Sequence, residues 1–318
     1  MKNILQRLSL VAIVILSVTF TACKKEPKSN ANDSTNTKDA NGIANAFDAT
    51  SDDAAAMAGQ VATMAGKTAS GSYYMLCGQT VVDTGNGRTI TITYDGTTIC
   101  NGVQRTGTVV ITLANGSALW DQPGAIANVA VNSVKVTDVT SSNSFTLNGN
   151  YTVTNETGGL AWELWWTAPV GTVVKHRETS TNMSVVFSDG TTGSWSVDRT
   201  RTWSKTSVGG NNVITYSVSS ENSGNKDTWG TNRYGEAFST NIATPISANN
   251  YSVNCEWRPF QGKYVYTVPS RNASASLLFG TDASGHSVGN ATTCAPGYFL
   301  SYTLSTYNYT LSLYLPYW

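Results

Sequence analysis

Residues 89–113 read TITITYDGTTICNGVQRTGTVVITL. Ile90 and Ile92 alternate with Thr89, Thr91 and Thr93, and Val109, Ile111 and Leu113 repeat the pattern further on. A period of two sends successive side chains to opposite faces of an extended chain, so both runs read as half-buried β-strands. Asp95-Gly96 between them supplies a turn, because glycine accepts a positive φ and aspartate bonds its own backbone. The stretch therefore predicts two neighbouring antiparallel strands with one wet and one buried face.

The same alternation recurs along the chain. Phe145, Leu147, Tyr151 and Val153 carry it, then Met183, Val185 and Phe187, then Tyr264, Tyr266 and Val268. Turn-forming segments separate these runs, among them Asn155-Glu156-Thr157-Gly158-Gly159, Asp189-Gly190 and Gly209-Gly210-Asn211-Asn212. Sequential hairpins imply a meander, and several runs are about ten residues long where five or six is usual. The expected fold is all-β: one large, twisted and curved antiparallel meander over residues 71–318, an open sheet or half-barrel.

An internal echo supports a repeated hairpin unit. Asp95-Gly96-Thr97-Thr98 followed by Val103, Arg105, Thr106 and Thr108 recurs as Asp189-Gly190-Thr191-Thr192 followed by Val197, Arg199, Thr200 and Thr202. Eight of fourteen positions match without a gap. A degenerate third copy is placed near Phe279-Gly280-Thr281-Asp282.

The N-terminal part differs. Lys2 and Arg7 precede an apolar run from Leu8 to Phe20, and Phe20-Thr21-Ala22 leads into Cys23. This order is that of a secretory signal, and the run is short for a membrane-spanning helix. Residues 1–22 are read as the signal peptide. Residues 23–42, with Lys24-Lys25-Glu26-Pro27-Lys28 and a Ser/Asn/Thr-rich continuation, have little to bury and are expected to be a disordered tether. Residues 43–70 form a short helical lead-in, with Ser51 as a cap and Asp52 and Asp53 at the positive helix end. Ala65-Gly66-Lys67-Thr68 lacks the earlier glycine of a phosphate-binding loop.

The cysteine at the cleavage point resembles a bacterial lipoprotein signal, with Phe20 where leucine is common. The resemblance implies lipidation of Cys23 and a partner in the membrane. The strand–Asp-Gly–cysteine–Arg-Thr unit of residues 89–113, with Leu147-Asn148-Gly149-Asn150-Tyr151 and Asp198-Arg199-Thr200-Arg201-Thr202-Trp203, is similar to a family of Bacteroidota cell-envelope lipoproteins. The resemblance implies an outer-membrane location, facing the periplasm or the cell surface, and supplies no catalytic residue. Beside Cys23 the chain has Cys77, Cys100, Cys255 and Cys294. Outside the cytoplasm four cysteines suggest two disulfides, and Cys77 with Cys100 and Cys255 with Cys294 are favoured because each pair brackets a hairpin-like unit.

Composition narrows the function. Twenty basic and twenty acidic residues give no net charge over 318 residues, which argues against nucleic acid as a partner. Two histidines, His176 and His286, have no metal-ligand spacing, and no cofactor is expected. His176, in Lys175-His176-Arg177-Glu178, reads as part of a solvated strand face, and His286 as a turn residue. Glu163 with Glu178 is the carboxylate pair a hydrolase reading would use. Trp162, Trp165 and Trp166 are the densest aromatic cluster and read as a strand, with Trp162 and Trp166 on one face and Trp165 on the other. Core packing is the first expectation for them and a ligand platform the second. The C-terminal run Tyr307–Trp318 alternates like an outer-membrane terminal strand but reads as the last strand of a soluble sheet. A structural or ligand-binding role is expected, with a glycan- or peptide-binding module and a hydrolase as alternatives.

Overall fold

The computed structural model describes residues 29–64, 77–83, 89–100, 102–114, 119–222, 224–251, 257–305 and 308–317. The expected signal peptide of residues 1–22, Cys23 and residues 65–76 lie outside them. Among the described residues one α-helix, α1 (Ser29–Met64), precedes fourteen strands that form a single antiparallel sheet. The strands are β1 (Gln79–Asp83), β2 (Thr89–Asp95), β3 (Val103–Leu113), β4 (Ala125–Asp138), β5 (Ser144–Asn155), β6 (Val173–Phe187) and β7 (Thr192–Val208). They continue with β8 (Asn211–Ser219), β9 (Lys226–Thr231), β10 (Ala237–Asn249), β11 (Pro259–Val268), β12 (Ala273–Thr281), β13 (Gly297–Leu304) and β14 (Tyr309–Pro316). Each pairs with its sequence neighbour except at one place: β8 and β9 share a lane, each pairing with a different half of β7 and of β10. The all-β meander expected from the sequence is the fold. Among the described residues β1 and β14 are not paired with each other, so the sheet is open.

The strand faces follow the two-residue period. Ile90, Ile92, Val109, Ile111, Val129, Val131, Val153, Val185 and Val197 are buried on the inner face, in one cluster with Ile43, Phe47 and Met57 of α1. Burying such a layer against a helix supplies most of the drive to fold.

Two expectations about α1 need correction. Its 36 residues begin at Ser29, inside the stretch expected to be a tether, so it is not a short lead-in. Ser51 is not its cap and Asp52 and Asp53 are not at its N-terminal end; all three lie past its middle and face the sheet. The helix crosses the strands: Asp39 meets Arg233 after β9, Asp48 meets Arg199 on β7, Ser51 meets Glu178 on β6, and Asp53 meets Arg105 on β3 and Tyr94 on β2. From Asp39 to Asp53 α1 rises about 21 Å. The lanes from β2 to β9 would span about 29 Å if flat. Long arginine side chains, reaching from the sheet to the helix carboxylates, span part of the difference.

Candidate functional site

A second structural feature lies on the opposite, outer face. From β3 to β7 the chain departs from regular pairing once per strand pair, between Thr106 and Thr108, between Val131 and Val134, between Asn148 and Tyr151, and between Ser180 and Met183. These bulges line up across the sheet and crease it. Gly107 adopts φ +105°, and a Cβ there would sit 2.3 Å from the Ser133 carbonyl oxygen. Ser133 and Asn182 take positive φ values of 50° and 52°. Side chains replace the lost ladder bonds: Asn148 Oδ1 accepts from the Ser133 backbone N–H at 2.7 Å, and Ser196 Oγ accepts from the Asn182 N–H at 3.0 Å.

Beside the crease the outer face is a depression of about 490 Å³. In-register pairs set its side chains in two rows. Thr112, Asn128, Thr152 and Thr179 face one another across β3 to β6, and Val110, Ala130 and Asn150 form the next row across β3 to β5. Thr152 Oγ1 lies 3.5 Å from Asn128 Oδ1. Among the described residues no charged side chain lines the depression. Hydroxyl and amide groups that both donate and accept, interleaved with small apolar side chains, suit a neutral ligand carrying many hydroxyls.

On the inner face the polar groups face α1. Glu178, 1% exposed, accepts from Arg199 Nε at 2.8 Å, from Arg201 Nη1 at 3.1 Å and from Ser51 Oγ. Burial alone would raise its carboxyl, but the Arg199 and Arg201 guanidiniums and Ser51 outweigh that and hold it down at about 2. Arg199 and Arg201 reach on to Asp48 and Asp52. Burial outweighs Arg201 at Asp52 and raises its carboxyl to about 6. It does the same at Asp227, also to about 6, against Arg199. The set is an ionic clasp that fixes α1 on the sheet.

His176 is corrected by the same face. It is 3% exposed, between Trp120 at 5.1 Å and Trp203 at 5.0 Å between ring centroids. The Lys175-His176-Arg177-Glu178 run alternates faces, and its inward members are His176 and Glu178, so the strand face expected to be solvated is half buried. Burial, with the Arg201 charge, lowers the His176 imidazole to about 3 and keeps it neutral. Glu178 engages both oxygens in the clasp, so it offers Glu163 no free carboxyl for the two-carboxylate chemistry. His286 lies in the Asp282 turn, as expected, with its backbone N–H bonded to Asp282 Oδ1 at 3.0 Å.

The tryptophan cluster is a 3₁₀ helix, Ala161–Trp165, not a strand. Leu164 is fully buried, and Trp165 packs on Trp257 with ring centroids 6.0 Å apart. Trp162 and Trp166 are 39% and 61% exposed. Core packing thus holds for Trp165, while Trp162 and Trp166 are exposed where a loop closes the inner face. The Cys77–Cys100 disulfide is present. Cys294 is disulfide-bonded too, while Cys255 lies outside the described residues.

The groove residues were not singled out from the sequence. Thr and Asn fill the wet face of nearly every strand here, and only the aligned bulges set those of β3 to β6 apart. A scan for paired interruptions in the alternation, at Gly107, Ser133, Gly149 and Asn182, would have located the crease. Comparison with known proteins finds no matching family model, no matching curated protein and no matching solved structure.

Proposed function

We propose that this chain is a lipid-anchored binding module of the cell envelope, not an enzyme, and that it holds a neutral glycan in the outer groove of β3 to β6. The observation that carries the proposal is the pairing of a concave surface with an uncharged Thr/Asn lining in register. Surfaces of this size and polarity bind hydroxyl-rich ligands through many modest hydrogen bonds, each worth about 1 kcal/mol net. Attachment through Cys23 to the outer membrane, with the domain on the periplasmic or cell-surface side, completes the reading. It draws on the order of charged, apolar and small residues before Cys23, on the resemblance to Bacteroidota envelope lipoproteins, and on disulfides that belong to an oxidising compartment. A glycan or peptide platform on Trp162 and Trp166 is a second reading, favoured by the 61% exposure of Trp166.

Titration calorimetry of the chain against neutral envelope and plant oligosaccharides tests the groove. Saturable binding that is lost in Asn150→Lys and kept in Trp166→Ala supports it; binding lost in Trp166→Ala and kept in Asn150→Lys moves the site to the tryptophans. Absence of binding across the panel removes the glycan from the proposal. Metabolic labelling with a radioactive fatty acid tests the anchor, and label retained in Cys23→Ser would refute it.

A further inference from the structure

The inner face of the sheet presents two chemistries side by side. Its floor is apolar, built from Ile92, Val109, Ile111, Val129 and Val153. Above it run four guanidinium groups, those of Arg105, Arg199, Arg201 and Arg233. Helix α1 answers both, with Ile43, Phe47 and Met57 on the floor and Asp53, Asp48, Asp52 and Asp39 on the arginines.

As a permanent joint this is a costly design. Charges taken out of water recover their solvation only with complete pairing, and apolar residues of similar size would hold a helix at least as well. The pairing is not complete. Asn36 of α1 is 2% exposed with neither its side-chain oxygen nor its nitrogen bonded, and Oδ1 of the buried Asp227 is also unpaired. A buried polar group without a protein partner calls for a specific explanation.

We infer that α1 fills, within its own chain, a site on the sheet for an anionic amphiphile: a molecule whose apolar tail takes the floor and whose anionic head takes Arg199 and Arg201. The helix copies such a ligand, carrying carboxylates where the head would sit and aliphatic and aromatic side chains where the tail would lie. Binding then requires α1 to leave, and its ion pairs set how readily it does so. The inference is independent of the outer groove, which lies on the other face.

The two sides of each ion pair separate this from a purely structural role. Asp48→Asn with Asp52→Asn loosens the helix and leaves the arginines in place; Arg199→Gln with Arg201→Gln loosens the helix and removes the receptor for the head. With fluorescently labelled lysophosphatidylglycerol as probe, the helix-side variant is expected to bind about tenfold more tightly than wild type. The sheet-side variant is expected to lose binding, although both melt at lower temperature. Arg201→Gln alone, which leaves Arg199 on Glu178, serves if the double arginine variant does not fold, and is expected to bind more weakly than wild type. Hydrogen exchange over residues 29–64 is expected to quicken when the probe is added. Affinities that move the same way on both sides, a helix-side variant with no saturable binding, or equal binding of uncharged monopalmitoylglycerol would each overturn the inference.

Discussion

Arg105 and Arg199 occupy the same position in two units 94 residues apart, and each reaches a different aspartate of the same helix. Arg105 Nη1 meets Asp53 Oδ2 at 3.0 Å, and Arg199 Nη2 meets Asp48. The Asp-Gly-Thr-Thr turns that open the two units are built alike as well, with Asp95 Oδ1 accepting from the Thr97 N–H at 2.8 Å and Asp189 Oδ1 from the Thr191 N–H at 3.0 Å. The repeat in the sequence therefore marks where the sheet grips α1, at β3 and again at β7.

Glu178 is the residue on which that grip turns. Replacing it by glutamine leaves two buried guanidiniums facing a neutral group, and breaking one partner of a buried charge set costs about 3–5 kcal/mol. Urea unfolding of Glu178→Gln should show a midpoint lowered accordingly. An unchanged midpoint would mean that the clasp contributes nothing to holding the helix.

His176 makes stability depend on acid. Its imidazole is lowered to about 3 in the folded protein against an ordinary value of 6.5. The unfolded chain therefore binds the proton first, and stability is lost as pH falls from about 6.5 toward 3. Asp52 and Asp227, raised to about 6, act in the opposite sense and gain stability as pH falls from 6 toward 4. A comparison with His176→Gln isolates the histidine. The variant should be less stable than wild type at pH 7.5, where it lacks the contacts with Trp120 and Trp203, and the gap should narrow as pH drops. A gap constant from pH 7.5 to pH 4 would contradict a buried neutral imidazole.

Much of the fold is legible in the sequence because burial on one face writes itself as alternation. Ile90 and Ile92 in β2 and Val109, Ile111 and Leu113 in β3 announce their strands without help from neighbours. What escapes depends on contacts far along the chain. The first half of α1 carries few apolar residues and is helical against the sheet through Asn36, Asp39 and Ala40. Trp162 to Trp166 alternate with period two by accident, and the loop that holds them turns on Leu164. Lys175-His176-Arg177-Glu178 looks charged on both faces, and only the partners of Glu178 reveal which side is buried. The groove is equally silent, since threonine on an outer strand face signals nothing until bulges bend the strands around it.

The Cys77–Cys100 disulfide closes a sequence separation of 23 residues around β1 and β2. Cross-linking a loop of that size restricts the unfolded chain by about 3 kcal/mol. Cys77→Ser with Cys100→Ser should lower the thermal midpoint and quicken hydrogen exchange in β1, an edge strand, more than in β4 to β6. Equal loss across the sheet would show that the bridge stabilises the whole domain and not its edge.

Gly107 links the crease to the groove and can be tested with an internal control. Both Gly107 and Gly171 hold positive φ, at 105° and 95°, but a Cβ at Gly107 would press on the Ser133 carbonyl while one at Gly171 would meet nothing within 4 Å. Alanine at either position pays backbone strain of about 1–3 kcal/mol. Only Gly107→Ala must also push β4 away from β3, which flattens the crease and shifts Val110 and Thr112 relative to Asn128 and Ala130. Gly107→Ala should therefore be the less stable of the two and should lose oligosaccharide binding, while Gly171→Ala loses stability alone. Equal melting temperatures would show that β4 yields freely at Ser133, and binding retained in Gly107→Ala would separate the groove from the crease that borders it.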